Sequence, residues 1–151
     1  MATKFTSYTI SVKFIFNPEI SKAIVENKTL KPNGRHLIID LYDAKHLNDI
    51  GLMKMAIHEI IKQTNTTLLF ENYHHFHPSG ITGIACLAES HISVHTWPED
   101  NFAAFDVFMC GKAQPETAIA IVKHYFSGTE KTTLLPRGST AIETLIKSPI
   151  K

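Results

Sequence analysis

The sequence predicts an α+β domain, a two-layer sandwich in which an antiparallel or mixed sheet carries helices on one face. Short runs of alternating or β-branched apolar residues recur along the chain, several in succession and separated by turn residues, whereas only two long stretches repeat apolar residues strongly at helical spacing. Their order, strand, helix, several hairpin strands, helix, strand, lets one sheet form with the helices on a single side. At 151 residues, 44% apolar and 19% charged, the chain suffices for one core and is short for two, so a single domain is expected.

Residues 8–16 alternate, with Ile10, Val12, Phe14 and Phe16 on one side, and read as a strand ended by Asn17 and Pro18. Residues 19–30 read as a short helix through Ile20, Ala23, Ile24 and Leu30, diluted by Asn27, Lys28 and Thr29. A turn cluster at 31–34 precedes a largely buried strand at 36–42. Asn48 is suited to cap a helix over 49–64, with Asp49 in its first turn and Ile50, Met53, Ile57, Ile60 and Ile61 as its core stripe. Strands follow at 66–73 and 81–88, joined through Pro78, Ser79 and Gly80. A second helix is expected over 114–126, with Pro115 and Glu116 at its start and Ala118, Ile121, Val122 and Tyr125 inward. Residues 132–135 form a last short strand, and the run from Thr140 to Glu143 offers a capping box. Phe102, Phe105, Phe108 and Val107 enrich the strands, so the sheet face away from the helices is expected to be covered by a second subunit.

Composition narrows the function. A net charge of +1 without a basic run leaves no footprint for nucleic acid or an anionic membrane surface. Two cysteines make no disulfide scaffold, and no apolar run reaches membrane-span length or follows a basic signal start, so a reducing cytoplasm is expected.

Side chains suited to chemistry concentrate at 89–111. Ser90 stands at the mouth of an alternating run whose one face carries His91, Ser93 and His95, while Ile92, Val94 and Thr96 pack on the other. Trp97, Pro98, Glu99 and Asp100 close that strand. A second strand over 102–110 returns to Gly111 and brings Cys110 towards Ser90. Taken singly, Ser90 reads as an exposed turn serine, His95 as a structural imidazole and Cys86 as a small buried hydrophobe.

The segments Glu89-Ser90-His91, His95-Thr96-Trp97-Pro98-Glu99, Asp106 and Phe108-Met109-Cys110-Gly111, preceded by Gly34-Arg35-His36-Leu37 and Phe76-His77-Pro78-Ser79-Gly80-Ile81-Thr82-Gly83, together resemble the small bacterial and archaeal S-adenosylmethionine decarboxylase proenzymes. The resemblance covers residues 34–138 and implies a family domain over 34–151 behind an N-terminal extension, 1–33. It also implies a homodimer. By resemblance, Ser90 Oγ attacks the Glu89 carbonyl carbon, and the resulting ester eliminates, so that the chain is cut between Glu89 and Ser90 and residue 90 becomes a pyruvoyl group. That group forms a Schiff base with a substrate α-amine and accepts the electrons released on decarboxylation. The same resemblance makes His95 the processing base, Thr82 its support where the family usually has serine, and Cys110 the proton donor to carbon. It makes Phe76 the stacking partner of adenine and Glu99 the acceptor of the ribose hydroxyls. The product would supply aminopropyl groups for spermidine synthesis.

Two other readings stay open. The same fold and pyruvoyl chemistry would serve ornithine or arginine, since a Schiff base to an α-amine does not specify the side chain. A non-enzymatic reading gathers His74, His75, His77, His91, His95 and Cys110 around zinc or copper, although His74 and His75 should point to opposite faces of a strand. No metal is expected in the enzymatic readings.

Overall fold

The computed structural model describes residues 33–138, so the strand expected at 8–16, the helix at 19–30 and the capping box at 140–143 lie outside the described residues. Within it, six strands and two helices follow in order: β1 (Gly34–Tyr42), α1 (Ile50–Gln63), β2 (Leu68–His75), β3 (Ile81–Leu87), β4 (Ser90–Trp97), β5 (Phe102–Cys110), α2 (Thr117–Phe126) and β6 (Thr129–Arg137). The sheet runs β2-β3-β4-β5-β1-β6, and each neighbouring pair is antiparallel. This is the α+β sandwich that the alternation predicts.

Period-two burial divides the sheet. Leu37, Ile39 and Leu41 of β1, Ile92 and Val94 of β4, and Ala103, Phe105, Val107 and Met109 of β5 are buried against the helices. From α1 they meet Met53, Ala56, Ile57, Ile60 and Ile61, and from α2 Ala118, Ile121, Val122 and Phe126; the Phe105 and Phe126 rings lie 6.0 Å apart. The helix-free face carries Phe102 and Phe108, together with exposed Ile84, Trp97 and Leu135. Phe105 and Val107, expected to help draw a second subunit, instead face the helices, because they have the opposite parity on β5.

Several boundaries differ from expectation. Asp49, not Asn48, caps α1, its carboxylate accepting from Leu52 N at 2.9 Å. Asn48 Oδ1 accepts from Gly80 N at 2.8 Å and meets His75 Nε2 at 2.7 Å, tying the start of α1 to the β2–β3 turn. α2 begins at Thr117, after a tight turn in which Ala118 N donates to Pro115 O at 2.9 Å. Tyr125 is only partly buried and Phe126 takes the inward place. β6 is longer than the 132–135 run because β1 templates it over nine pairs, and Pro136 is tolerated because β6 is an edge strand. Gly83 is required where it stands: a Cβ there would lie 2.4 Å from the Tyr73 ring crossing from β2.

Candidate functional site

Ala88 and Glu89 form the tip of the β3–β4 hairpin, with Leu87 paired to Ser90. The tip is clamped from the loop before β2. Ala88 N donates to Thr67 O at 2.9 Å, while the Glu89 carboxylate accepts from Thr67 N at 2.8 Å and from Thr67 Oγ1 at 3.4 Å. From the other side, Cys110 N donates to the Glu89 carbonyl oxygen at 3.0 Å. Ser90, held between, has φ +146°, a region almost confined to glycine that costs a residue with Cβ about 1–3 kcal/mol. Ser90 Oγ lies 3.2 Å from Nδ1 of His91. The hairpin return thus does bring Cys110 to the Glu89–Ser90 bond, with Met109 directly opposite Ser90.

At the far end of the same strands, Thr82 and His95 are paired in register, and Thr82 Oγ1 contacts His95 Nδ1. Thr82 lies in β3, within the strand expected at 81–88. A cleft of about 300 Å³ opens beside them, lined by Phe76, Ser79, Gly80, Thr82, His95, Trp97 and Glu99. A neighbouring cleft of about 320 Å³ shares Thr82 and His95 and continues along Asn72, Tyr73, His74, Ile84 and Ser93. Phe76 is half exposed and meets His74 edge-on at 4.6 Å between centroids. Thr96 fixes the floor: its hydroxyl donates to Leu47 O at 3.0 Å and accepts from Ile81 N at 2.8 Å. Behind the second cleft Tyr73 donates to Glu71 at 3.2 Å. Burial, and then the negative charge of Glu71, hold its phenol well above the ordinary tyrosine range, so it stays protonated.

The chain therefore carries two half-sites. Phe76, Thr82, His95 and Glu99 come together, and Glu89, Ser90 and Cys110 come together, but the two groups do not meet. His95 lies five steps along extended strand from Ser90, roughly 17 Å at about 3.3 Å per residue. A base acting on Ser90 from its own chain's His95 is excluded by that length. Cys86, expected in the core, is half-buried on the helix-free face, because Ala85 and Leu87 take the inward positions of β3. Sequence reasoning missed three contributors. Thr67 left no motif. Trp97, read only as a strand end, has the same parity as His91 and His95. His91, read as a face residue, touches the hydroxyl itself. As for the metal-binding reading, His74 turns towards Phe76 and His75 towards Asn48, and among the described residues no group of three or more metal-ligating side chains converges.

The profile of the S-adenosylmethionine decarboxylase family matches residues 35–138 of this chain. The S-adenosylmethionine decarboxylase proenzyme of Prochlorococcus marinus (strain MIT 9313) is 46% identical over 93 residues, 60% of this chain and 74% of that protein. The proenzyme of the same name from Methanococcus aeolicus is 42% identical over 100 residues, 64% of this chain and 85% of that protein. Among solved structures, the adenosylmethionine decarboxylase of Aquifex aeolicus superposes with a TM-score of 0.68 at 30% identity, over 73% of this chain and 94% of that one.

Proposed function

The chain belongs to the S-adenosylmethionine decarboxylase family, and from that premise we propose that it is made as a proenzyme, cuts itself between Glu89 and Ser90, and decarboxylates S-adenosylmethionine as a cytoplasmic homodimer. Ornithine and arginine are not the favoured substrates, given the activity that its relatives are named for.

The observation that carries the reading is the geometry of the bond to be cut. Moving an acyl group from amide nitrogen to a serine oxygen is uphill, so the site must destabilise the amide or stabilise the tetrahedral oxyanion. Ser90 at φ +146° supplies strain that is relieved once the amide breaks, and Cys110 N–H already points at the carbonyl oxygen on which charge develops. The Thr67 clamp holds Glu89 still while this happens. Removal of the Ser90 α-proton then expels the Glu89 carboxylate, and hydrolysis of the remaining dehydroalanine, with loss of ammonia, leaves a pyruvoyl group at residue 90. The products are residues 1–89 and 90–151.

A pyruvoyl group at that position supplies the carbonyl electron sink that lets an amino acid lose its carboxylate. Cys110 is suited to hold the proton returned to carbon, since its thiol is half-buried on the strand that faces residue 90. Phe76 and Trp97 offer aromatic faces to adenine and sulfonium, and Glu99 offers a carboxylate to the ribose hydroxyls.

Because the half-sites lie roughly 17 Å apart along β4, the complete site needs Thr82, His95 and their cleft from a second copy, set against Ser90 and Cys110 of the first. The helix-free sheet face, with Ile84, Trp97 and Phe108, is the surface on which two copies would pair and put His95 of one within reach of the Ser90 α-proton of the other.

Intact mass under denaturing conditions tests the reading. The expected result is two fragments split between Glu89 and Ser90, the second bearing a pyruvoyl end, with Ser90→Ala left whole. A single uncut wild-type chain, or a cut elsewhere, would overturn it.

A further inference from the structure

Resting on the reading of Ser90 as the self-cleaving residue, we propose that His91 is the proton acceptor of the first step, the N-to-O acyl shift, and that the two steps of self-cleavage use different histidines. Its Nδ1 lies 3.2 Å from Ser90 Oγ, within reach of the proton that must leave as the oxygen attacks. His95 of the same chain lies roughly 17 Å away along the strand. The adjacent histidine is tethered to the nucleophile by one peptide bond, so this base is in place before two copies meet.

The ring of His91 is also held. Phe108 of β5 meets it edge-on, with centroids 5.8 Å apart. Phe108 is in turn fixed between the His36 ring at 5.6 Å and the Arg137 guanidinium at 5.3 Å. The titratable groups sharing its face are Cys86, directly across on β3, and Asp106 and Cys110, two residues either way from Phe108 on β5. Asp106 is engaged by His36 Nε2 at 3.0 Å. With Nε2 protonated, neutral His91 presents Nδ1 as an acceptor.

The step then balances. The Ser90 hydroxyl proton passes to Nδ1 as Oγ bonds to the Glu89 carbonyl carbon, and the carbonyl oxygen takes up the charge opposite Cys110 N–H. The carbon–nitrogen bond then breaks, and the Ser90 nitrogen takes the proton back from His91. The product is an ester with a free amine, and no other reagent is consumed. The α-proton in the second step falls to His95 of the partner.

Hydroxylamine cuts esters and spares amides, so it reads the first step alone. His95→Ala is expected to stop at the ester, which hydroxylamine splits into a Glu89 hydroxamate and a Ser90 amine. Adding His91→Asn, whose amide can still bond the hydroxyl but cannot carry its proton, should slow that cut by about 100-fold or more. His91→Gln serves as a second variant, and thermal melting verifies folding of each. Hydroxylamine cleavage at an undiminished rate in both double variants, or ester accumulation in His91→Asn alone, would overturn the inference and leave the Ser90 reading intact. Absence of any cut at Ser90 in the wild type would overturn both.

Discussion

Ser90 shows how one residue can hold two demands in tension. It must be stable enough for the chain to fold and strained enough for its own peptide bond to be the weak one. The pairing of Leu87 with Ser90 leaves only Ala88 and Glu89 to turn the hairpin, and the positive φ is where that tight turn stores its cost. Cys110 next to it has two separable parts. Its backbone N–H faces the Glu89 carbonyl, whereas its thiol is proposed to serve turnover alone. Cys110→Ala is therefore expected to cut itself at close to the wild-type rate while decarboxylation falls by about 10²–10⁴-fold, as removal of a proton donor does. Fragment masses and carbon dioxide release measure the two separately, and failure to cut would assign the thiol to processing as well.

The two ends of the β3–β4 pair each position one half-site, and the two halves depend on different local features. β3 and β4 share a register in which Thr82 faces His95, and that register rests on Gly83, over which the Tyr73 ring crosses. Tyr73 is held by Glu71 and has Lys54 5.4 Å from its ring centroid, so it cannot swing aside freely. Gly83→Ala should thus cost about 1–3 kcal/mol in chemical denaturation, and it should slow completion of self-cleavage by displacing the adjacent Thr82. Unchanged stability would mean that Tyr73 moves without penalty. The edge strands β2 and β6 lack such constraints, and local pattern does not mark their bounds. Their exposed residues show little alternation, and pairing with β3 and β1 settles where they end.

For the whole molecule, the separation of Ser90 from His95 makes a sharp prediction about assembly. On the proposed roles, Ser90→Ala would lack the nucleophile and His95→Ala the second-step base, so each alone should remain uncut. Made together in one cell, they should form mixed dimers in which the His95→Ala chain is cut, because its Ser90 meets the intact His95 of its partner. Tagged chains and intact mass distinguish the two species. If no His95→Ala chain is cut in the mixture, the site is not shared between copies.

The sequence by itself determined the α+β class, the two faces of β4, the reactive hairpin and nearly every residue that the two clusters gather. Those properties follow from period-two and period-3.6 burial and from side-chain chemistry, which are local. It also carried the family resemblance, since the order of short motifs survives without coordinates. Tertiary structure decided what depends on registers between distant segments: that Asp49 and not Asn48 caps α1, that Thr67 clamps Glu89, and that Cys110 N–H meets the Glu89 carbonyl. It decided, above all, that Ser90 and His95 lie apart. Residues on one strand look like neighbours in a sequence, yet extended backbone advances about 3.3 Å per residue, and the five steps from Ser90 to His95 carry the imidazole beyond the reach of any hydrogen bond.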